Sequence, residues 1–221
     1  VNWLAPLLLA AALLSSCSGP SARGTGLAVY QSYDRPARRP ADPAAVRVKV
    51  STSRQRAYVM EGDTPLLVMP VTVGDPATPT PQGRFRILRK EARHRSKSHG
   101  FAHRGEQVDK TSLANKPAGW AFTGTPMPYW CEFHPGYGFH TGWIKHHAAS
   151  DGCIRMHENL APKFFELVRV GTPVEIATSH PEDAVYGSIP LPPDAGPLPD
   201  HPPAFYLGDD AFERHRPPEF E

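Results

Sequence analysis

Short apolar alternations set off by turn residues occupy the middle of the chain. Val46-Arg47-Val48-Lys49-Val50 alternates apolar and charged positions, the pattern of a half-buried strand. Ala57-Tyr58-Val59-Met60, residues 66–73 and Phe85-Arg86-Ile87-Leu88 read as further strands, separated by Gly62-Asp63, Gly74-Asp75 and the turn at 79–83. From 89 to 119 the alternation gives way to a polar, basic stretch too long for a tight turn, which predicts a functional or disordered loop. Strand character returns at 127–133 and near Phe139. Leu160, Phe164, Leu167 and Val168 then fall at helical spacing, with Gly171 closing the helix before Pro173, and Val174-Glu175-Ile176 reads as a last strand. The expected fold is mainly β, with one short helix.

The flanks follow a different logic. Residues 4–14 are almost wholly apolar and lead through small residues to Cys17, a run too short to cross a bilayer as a mature helix. Leu14-Ser15-Ser16-Cys17 looks like a lipobox, which makes residues 1–17 a lipoprotein signal peptide and Cys17 the lipidated residue; the alternative is a plain export signal with an incidental cysteine. Residues 18–45 read as a flexible tether rich in Ser, Gly, Pro, Ala and Arg, residues 46–177 as the domain, and residues 178–221 as an irregular tail. The tail holds 10 of the 26 prolines.

Length and composition are compatible with one packed domain plus these extensions: 221 residues, 40% of them hydrophobic. The net charge of +2 conceals a split between 18 Lys and Arg against 11 Asp and Glu over 46–177, and 2 against 9 over 178–221. A basic body suits an anionic partner, and sign alone does not choose among wall peptides, lipid headgroups and nucleic acid. The opposed charge of the tail predicts that it folds back onto the basic face. An exported chain rarely meets nucleic acid, so the cations between Arg84 and Arg104 are read as a solvated surface or a flap over substrate.

The chemistry concentrates in His140-Thr141-Gly142, ten further residues, and Cys153-Ile154-Arg155-Met156. Ser150-Asp151-Gly152-Cys153 places a thiol at a turn, and a helix beginning a few residues on would favour its thiolate. His140 is a candidate base, and the backbone N–H groups of Gly152 and Cys153 are candidate oxyanion donors. By itself a Cys and a His in one chain is also compatible with a packed structural thiol.

His140, Ser150, Gly152, Cys153, Ile154 and Arg155 resemble the signature of the L,D-transpeptidase (YkuD-like) family. Pro70-Val71-Thr72-Val73-Gly74, Thr80-Pro81-Gln82-Gly83-Arg84-Phe85 and Gly171-Thr172-Pro173-Val174 are similar to its other motifs, in the same order. The resemblance implies a sandwich or barrel of strands, a Cys153 nucleophile and a His140 base oriented by the backbone carbonyl of Thr141. It implies acyl transfer on peptidoglycan tetrapeptide stems through a thioester, with release of D-Ala and an amine as acceptor. Water as acceptor would make an L,D-carboxypeptidase; a silent wall-binding lipoprotein is the rival from another class. Two positions depart from the pattern: Asp151 stands where a second histidine is common, and Thr141 where glycine or serine is. Arg155, Ser150, Asp151, Tyr137 and Trp143 are expected to face substrate.

No cofactor and no metal are expected. A zinc site built from His140, His146 and Cys153 is the weaker alternative, because no paired Cys/His ligand pattern accompanies it. Cys131 reads as a packed thiol. The expected partners are peptidoglycan stem peptides and, through the lipid anchor, a membrane. The expected setting is the periplasm-facing cell envelope, with the outer membrane favoured, and the expected state is monomeric.

Overall fold

The computed structural model describes residues 22–221, so the apolar leader and Cys17 lie outside the described residues. In chain order the elements are α1 (Ala22–Ser32), β1 (Val46–Ser51), β2 (Arg56–Glu61), β3 (Thr64–Thr72), β4 (Gly83–Arg86), β5 (Arg89–Glu91), β6 (Arg95–Arg104) and β7 (Gln107–Ser112). There follow β8 (Ala121–Pro126), β9 (Trp130–His134), β10 (Tyr137–Thr141), β11 (Ile154–Met156), α2 (Ala161–Leu167), β12 (Pro173–Ala177), α3 (Glu182–Val185), α4 (Pro203–Leu207) and α5 (Asp210–Glu213).

Nine strands form one sheet in the order β4-β12-β1-β2-β3-β11-β10-β9-β5. The β1/β12 and β10/β11 pairs are parallel and the rest antiparallel. The sheet curls until Phe85 of β4 meets Phe133 of β9, with ring centroids 5.4 Å apart. Inside the curl lie Val46, Val48 and Val50 of β1, the apolar positions of its alternation, together with Val59, Met69, Phe139, Ile154 and Ile176. Helix α2 closes the open end by setting Phe164 against Phe139, centroids 4.6 Å apart. Full burial of each such ring contributes about 1.5–3 kcal/mol.

Three expectations are corrected. The stretch 89–119 is not a loop: it supplies β5 and the hairpin β6/β7, which with β8 makes a second sheet in the order β7-β6-β8. Its polar sequence misled because this small sheet is largely solvent-facing, with Phe101 and Ala102 among its few buried residues. The described part of the tether is ordered as well. Tyr30 of α1 is buried among Trp143, Ile144 and Ala195, and Asp34 pairs with the buried Lys163 of α2 at 2.8 Å.

The tail is wrapped over the domain rather than irregular throughout. Glu182 of α3 meets Lys49 at 2.6 Å, and Asp183 accepts from Tyr58 Oη at 2.7 Å. Further on, Asp209 meets Arg93 at 2.8 Å and Phe212 lies under the Arg93 and Arg95 guanidiniums. These contacts place acidic tail residues on basic body residues, as the charge split suggests.

Candidate active site

The site is built on the parallel pair β10/β11, in register Phe139↔Ile154, His140↔Arg155 and Thr141↔Met156. Side chains alternate along each strand, and Phe139, Ile154 and Met156 are buried in the core. His140 and Arg155 therefore project from the opposite face, and Cys153, two residues before Arg155, joins them there.

Parallel neighbours need a crossover, here residues 142–153, and this crossover is pinned along its length. Ile144 is buried, Lys145 N–H donates to Thr72 Oγ1 at 2.7 Å, and Ala149 and Ser150 N–H both donate to the Val73 carbonyl at 3.0 and 3.1 Å. Thr80, from the second family-like motif, donates its hydroxyl to the Gly152 carbonyl at 2.9 Å while accepting from Gly74 N–H at 2.9 Å. That turn is therefore a buttress under the cysteine loop, a role its sequence does not announce.

Gly152 is required twice over. Its φ is +104°, and a Cβ there would stand 2.5 Å from Tyr137 Cε1. The Tyr137 ring thus covers the loop directly before the cysteine. Gly152 N–H, expected as an oxyanion donor, is instead given to Ser150 Oγ at 3.2 Å. Ser150, expected at the substrate, is 1% exposed and donates to the Cys153 carbonyl at 2.5 Å. Both groups hold the loop's shape.

Cys153 is half-buried and its thiol points to the Gly136 carbonyl at 3.8 Å. Burial pushes the thiol pKa up; the Gly138 N–H and the Arg155 guanidinium pull it down, and Asp151 adds a smaller upward push. The helix expected to support the thiolate does not directly follow it. Cys153 leads into β11, and α2 begins only at Ala161, because Ile154-Arg155-Met156 has the alternating burial of a strand.

His140 is 9% exposed, and its Nδ1 lies 2.8 Å from the Thr141 carbonyl. A carbonyl only accepts, so Nδ1 carries the proton and Nε2 is left as the basic nitrogen. Burial, above all, lowers the ring's pKa to about 4, with the Arg155 and His94 charges pushing the same way and the Thr141 carbonyl opposing. At neutral pH both the Cys153 thiol and the His140 imidazole are neutral.

The Arg155 guanidinium has no ion pair or hydrogen bond among the described residues, and its aliphatic stem lies against Gly142. Burial lowers its pKa, while Asp151 and Cys153 oppose that shift. Asp151 is exposed on the loop. Trp143 is not on this face: its ring lies between Tyr30 and His201, with Nε1 3.4 Å from Asp200 Oδ1. His146 is turned to the Pro192 carbonyl at 2.9 Å, which removes the third ligand of the zinc alternative. Among the described residues no cluster of three His, Cys, Asp or Glu side chains could hold a metal. Cys131 is fully buried and free of disulfide, and burial raises its thiol to about 12.

An aromatic wall stands behind His140. The Trp130 indole sits where a Gly138 Cβ would be, within 2.8 Å, and lies 6.2 Å from the His140 ring. His94 stacks on Trp130 at 4.7 Å and is tied to Glu91 at 2.5 Å. Trp120, Phe122, Tyr129, Trp130, Phe133, Tyr137, Phe139 and Trp143 crowd the sequence around His140, which points to a core or pocket wall; nothing in the sequence points to the stacking of His94.

The family model of the L,D-transpeptidase catalytic domain (YkuD) matches residues 45–176. Among solved structures, an L,D-transpeptidase from Mycobacterium smegmatis is 20% identical with a TM-score of 0.47, over 60% of this chain and 58% of that one. One from Stackebrandtia nassauensis is 22% identical with a TM-score of 0.46, over 69% and 64%. One from Mycobacterium tuberculosis is 20% identical with a TM-score of 0.45, over 60% and 57%. The chain thus spans less than two thirds of the length of these relatives. No curated protein matches the sequence. Because the family match takes in more than half of the chain, from the start of β1 into β12, this chain belongs to the L,D-transpeptidase catalytic domain (YkuD) family.

Proposed function

We propose that the protein is a cysteine-dependent L,D-transpeptidase acting on peptidoglycan tetrapeptide stems. The observation that carries this reading is the shared face of β10 and β11. It presents a half-buried thiol, an imidazole whose tautomer leaves Nε2 basic, and a guanidinium unpaired among the described residues.

In the first half-reaction Cys153 Sγ attacks the carbonyl of the stem's third residue as its proton passes to His140 Nε2. The Cys153 N–H, next to the Gly152 amide already in use, holds the developing oxyanion. The imidazolium then gives its proton to the departing amine of D-Ala, leaving a thioester. An acceptor amine opens the thioester in the second half-reaction, losing its proton to Nε2 and regenerating the thiol. Since the resting pair is neutral, proton transfer accompanies attack instead of preceding it as a stored ion pair. Arg155 is placed to hold a substrate carboxylate, and Tyr137 to line the approach over Gly152. Water in place of the amine would give an L,D-carboxypeptidase. The upward push of Asp151 on the thiol favours, as a second reading, a chain that binds wall peptides without turning them over.

Export and lipidation at Cys17 would hold this domain at the periplasmic side of the envelope, where the stems are. Intact-protein mass spectrometry with a carbapenem tests the chemistry. The strained lactam carbonyl should give one covalent adduct on the wild type and none on Cys153→Ala. A wild type that stays unmodified would leave the binding reading in possession. Incubation with purified disaccharide-tetrapeptide then identifies the acceptor from product masses. Appearance of free D-Ala with a tripeptide alone would assign hydrolysis.

A further inference from the structure

Thr141 is fixed at three points. Its N–H donates to the Pro128 carbonyl at 2.9 Å, its own carbonyl accepts from His140 Nδ1 at 2.8 Å, and its hydroxyl lies 3.0 Å from Nε2 of His215. The third contact comes from the acidic tail, 74 residues away in sequence. We propose that the C-terminal segment, through His215, is a positioning element of the active site, locking the Thr141 peptide that orients the His140 imidazole. The inference rests on the transpeptidase reading of that site and assigns it a residue beyond the signature motif.

The placement of His215 is over-determined. Its neighbour Arg214 pairs with the buried Glu158, reaches His201 Nε2 at 2.5 Å and lies over the Phe205 ring at 5.3 Å. Upstream, Arg95 donates to the Tyr206 and Gly208 carbonyls at 2.8 and 2.5 Å, tying the same segment to the β6–β8 sheet. The His215 ring stands edge-on to Tyr129 at 4.8 Å. Tyr129 holds a left-handed φ of +57°, a conformation that costs a non-glycine residue on the order of 1–3 kcal/mol and that the surroundings must enforce.

Among the described residues the imidazole's one hydrogen bond of full geometry is the one to Thr141, while its Nδ1 is buried and the Phe212 carbonyl is the backbone group that acts on the ring. Burial and the Arg214 charge keep the ring neutral at neutral pH, against the opposing Phe212 carbonyl, and with the ring proton on Nδ1 the Nε2 accepts a hydrogen bond from the Thr141 hydroxyl. A threonine side chain that the family resemblance left without a role thus becomes the link between tail and base. If the Thr141 peptide is free to rotate, the His140 ring loses its fixed tautomer and aim, and a misplacement of about 1 Å can cost on the order of 100-fold in rate.

The test compares His215→Ala, His215→Gln, Thr141→Val and the double variant Thr141→Val/His215→Ala. Carbapenem acylation of Cys153 is timed by mass spectrometry, and thermal stability is measured alongside. Expected are roughly 10- to 100-fold slower acylation in His215→Ala and Thr141→Val, partial recovery in His215→Gln, and a double variant no slower than either single one. Thr141→Val leaves the tail's own anchors intact, so it keeps the test alive if His215→Ala misfolds. Acylation unchanged in both single variants, or a double variant showing the product of the two losses, overturns the inference. A wild type that does not acylate would instead overturn the transpeptidase reading. The inference is then judged by nitrogen-15 NMR of His140: loss of its Nδ1–H tautomer in both single variants sustains it, and an unchanged signal ends it.

Discussion

The crossover 142–153 and the tail 178–221 both converge on His140, by different physics. The crossover is short, anchored by the buried Ile144 and by backbone hydrogen bonds to β3 and the residues after it, and carries the signature residues. The tail has no apolar period; beside one apolar anchor, Ala195 packed on Ile144 and Tyr30, it is held by ion pairs and guanidinium–aromatic contacts at Glu182, Asp209, Phe212 and Arg214. Apolar burial is little affected by salt, whereas the exposed Arg93–Asp209 pair contributes little and is screened; the Lys49–Glu182 and Arg214–Glu158 pairs are largely buried and screened less. One half of the site's surroundings is thus set by the core, and the other rests partly on charge.

The largest effect should come from breaking the core half. Phe164→Ala removes the ring packed on Phe139 and is expected to cost about 3–5 kcal/mol in chemical denaturation. Raising salt from 50 mM to 1 M should leave the wild type's global unfolding nearly unchanged while speeding proteolysis within the tail. Equal salt sensitivity of both regions would erase the distinction drawn between them.

Acid acts on both halves. Burial holds His140 and His157 in the body and His215 in the tail near pKa about 4, against 6.5 when unfolded. Between those values the unfolded chain binds protons that the folded one refuses. Their contribution is fully present above about pH 6.5 and is lost as the pH falls toward 4, by about 1.4 kcal/mol per pH unit for each histidine. Unfolding free energies measured at pH 7 and pH 5 check the sign, and stability that rose on acidification would contradict these neutral buried rings.

The smallest effect concerns Asp151. Its charge raises the Cys153 thiol pKa, so Asp151→Asn should lower it and speed alkylation by iodoacetamide at pH 7 a few-fold. A slower reaction would mean that the carboxylate serves the thiol through another contact.

How much of this was legible depends on how local each cause is. The alternation in Val46 to Val50 predicts β1, and the run from Leu160 to Val168 predicts α2, because the period of apolar residues follows the geometry of the element that buries them. The polar stretch 89–119 hid β6 and β7 because a mostly solvent-facing sheet needs little apolar sequence. Trp143 was placed at the substrate by its nearness to His140 in sequence, whereas Tyr30 and His201, both remote, turn it away.

The family and the strand-rich core follow from the sequence alone, since these rest on residue types at short fixed spacings. Only the tertiary structure decided that Gly152 N–H is occupied, that Thr80 buttresses the cysteine loop and that His215 reaches Thr141. Those are hydrogen bonds between segments up to 74 residues apart. A hydrogen-bond partner is chosen by distance and direction in space, for which linear spacing carries no code.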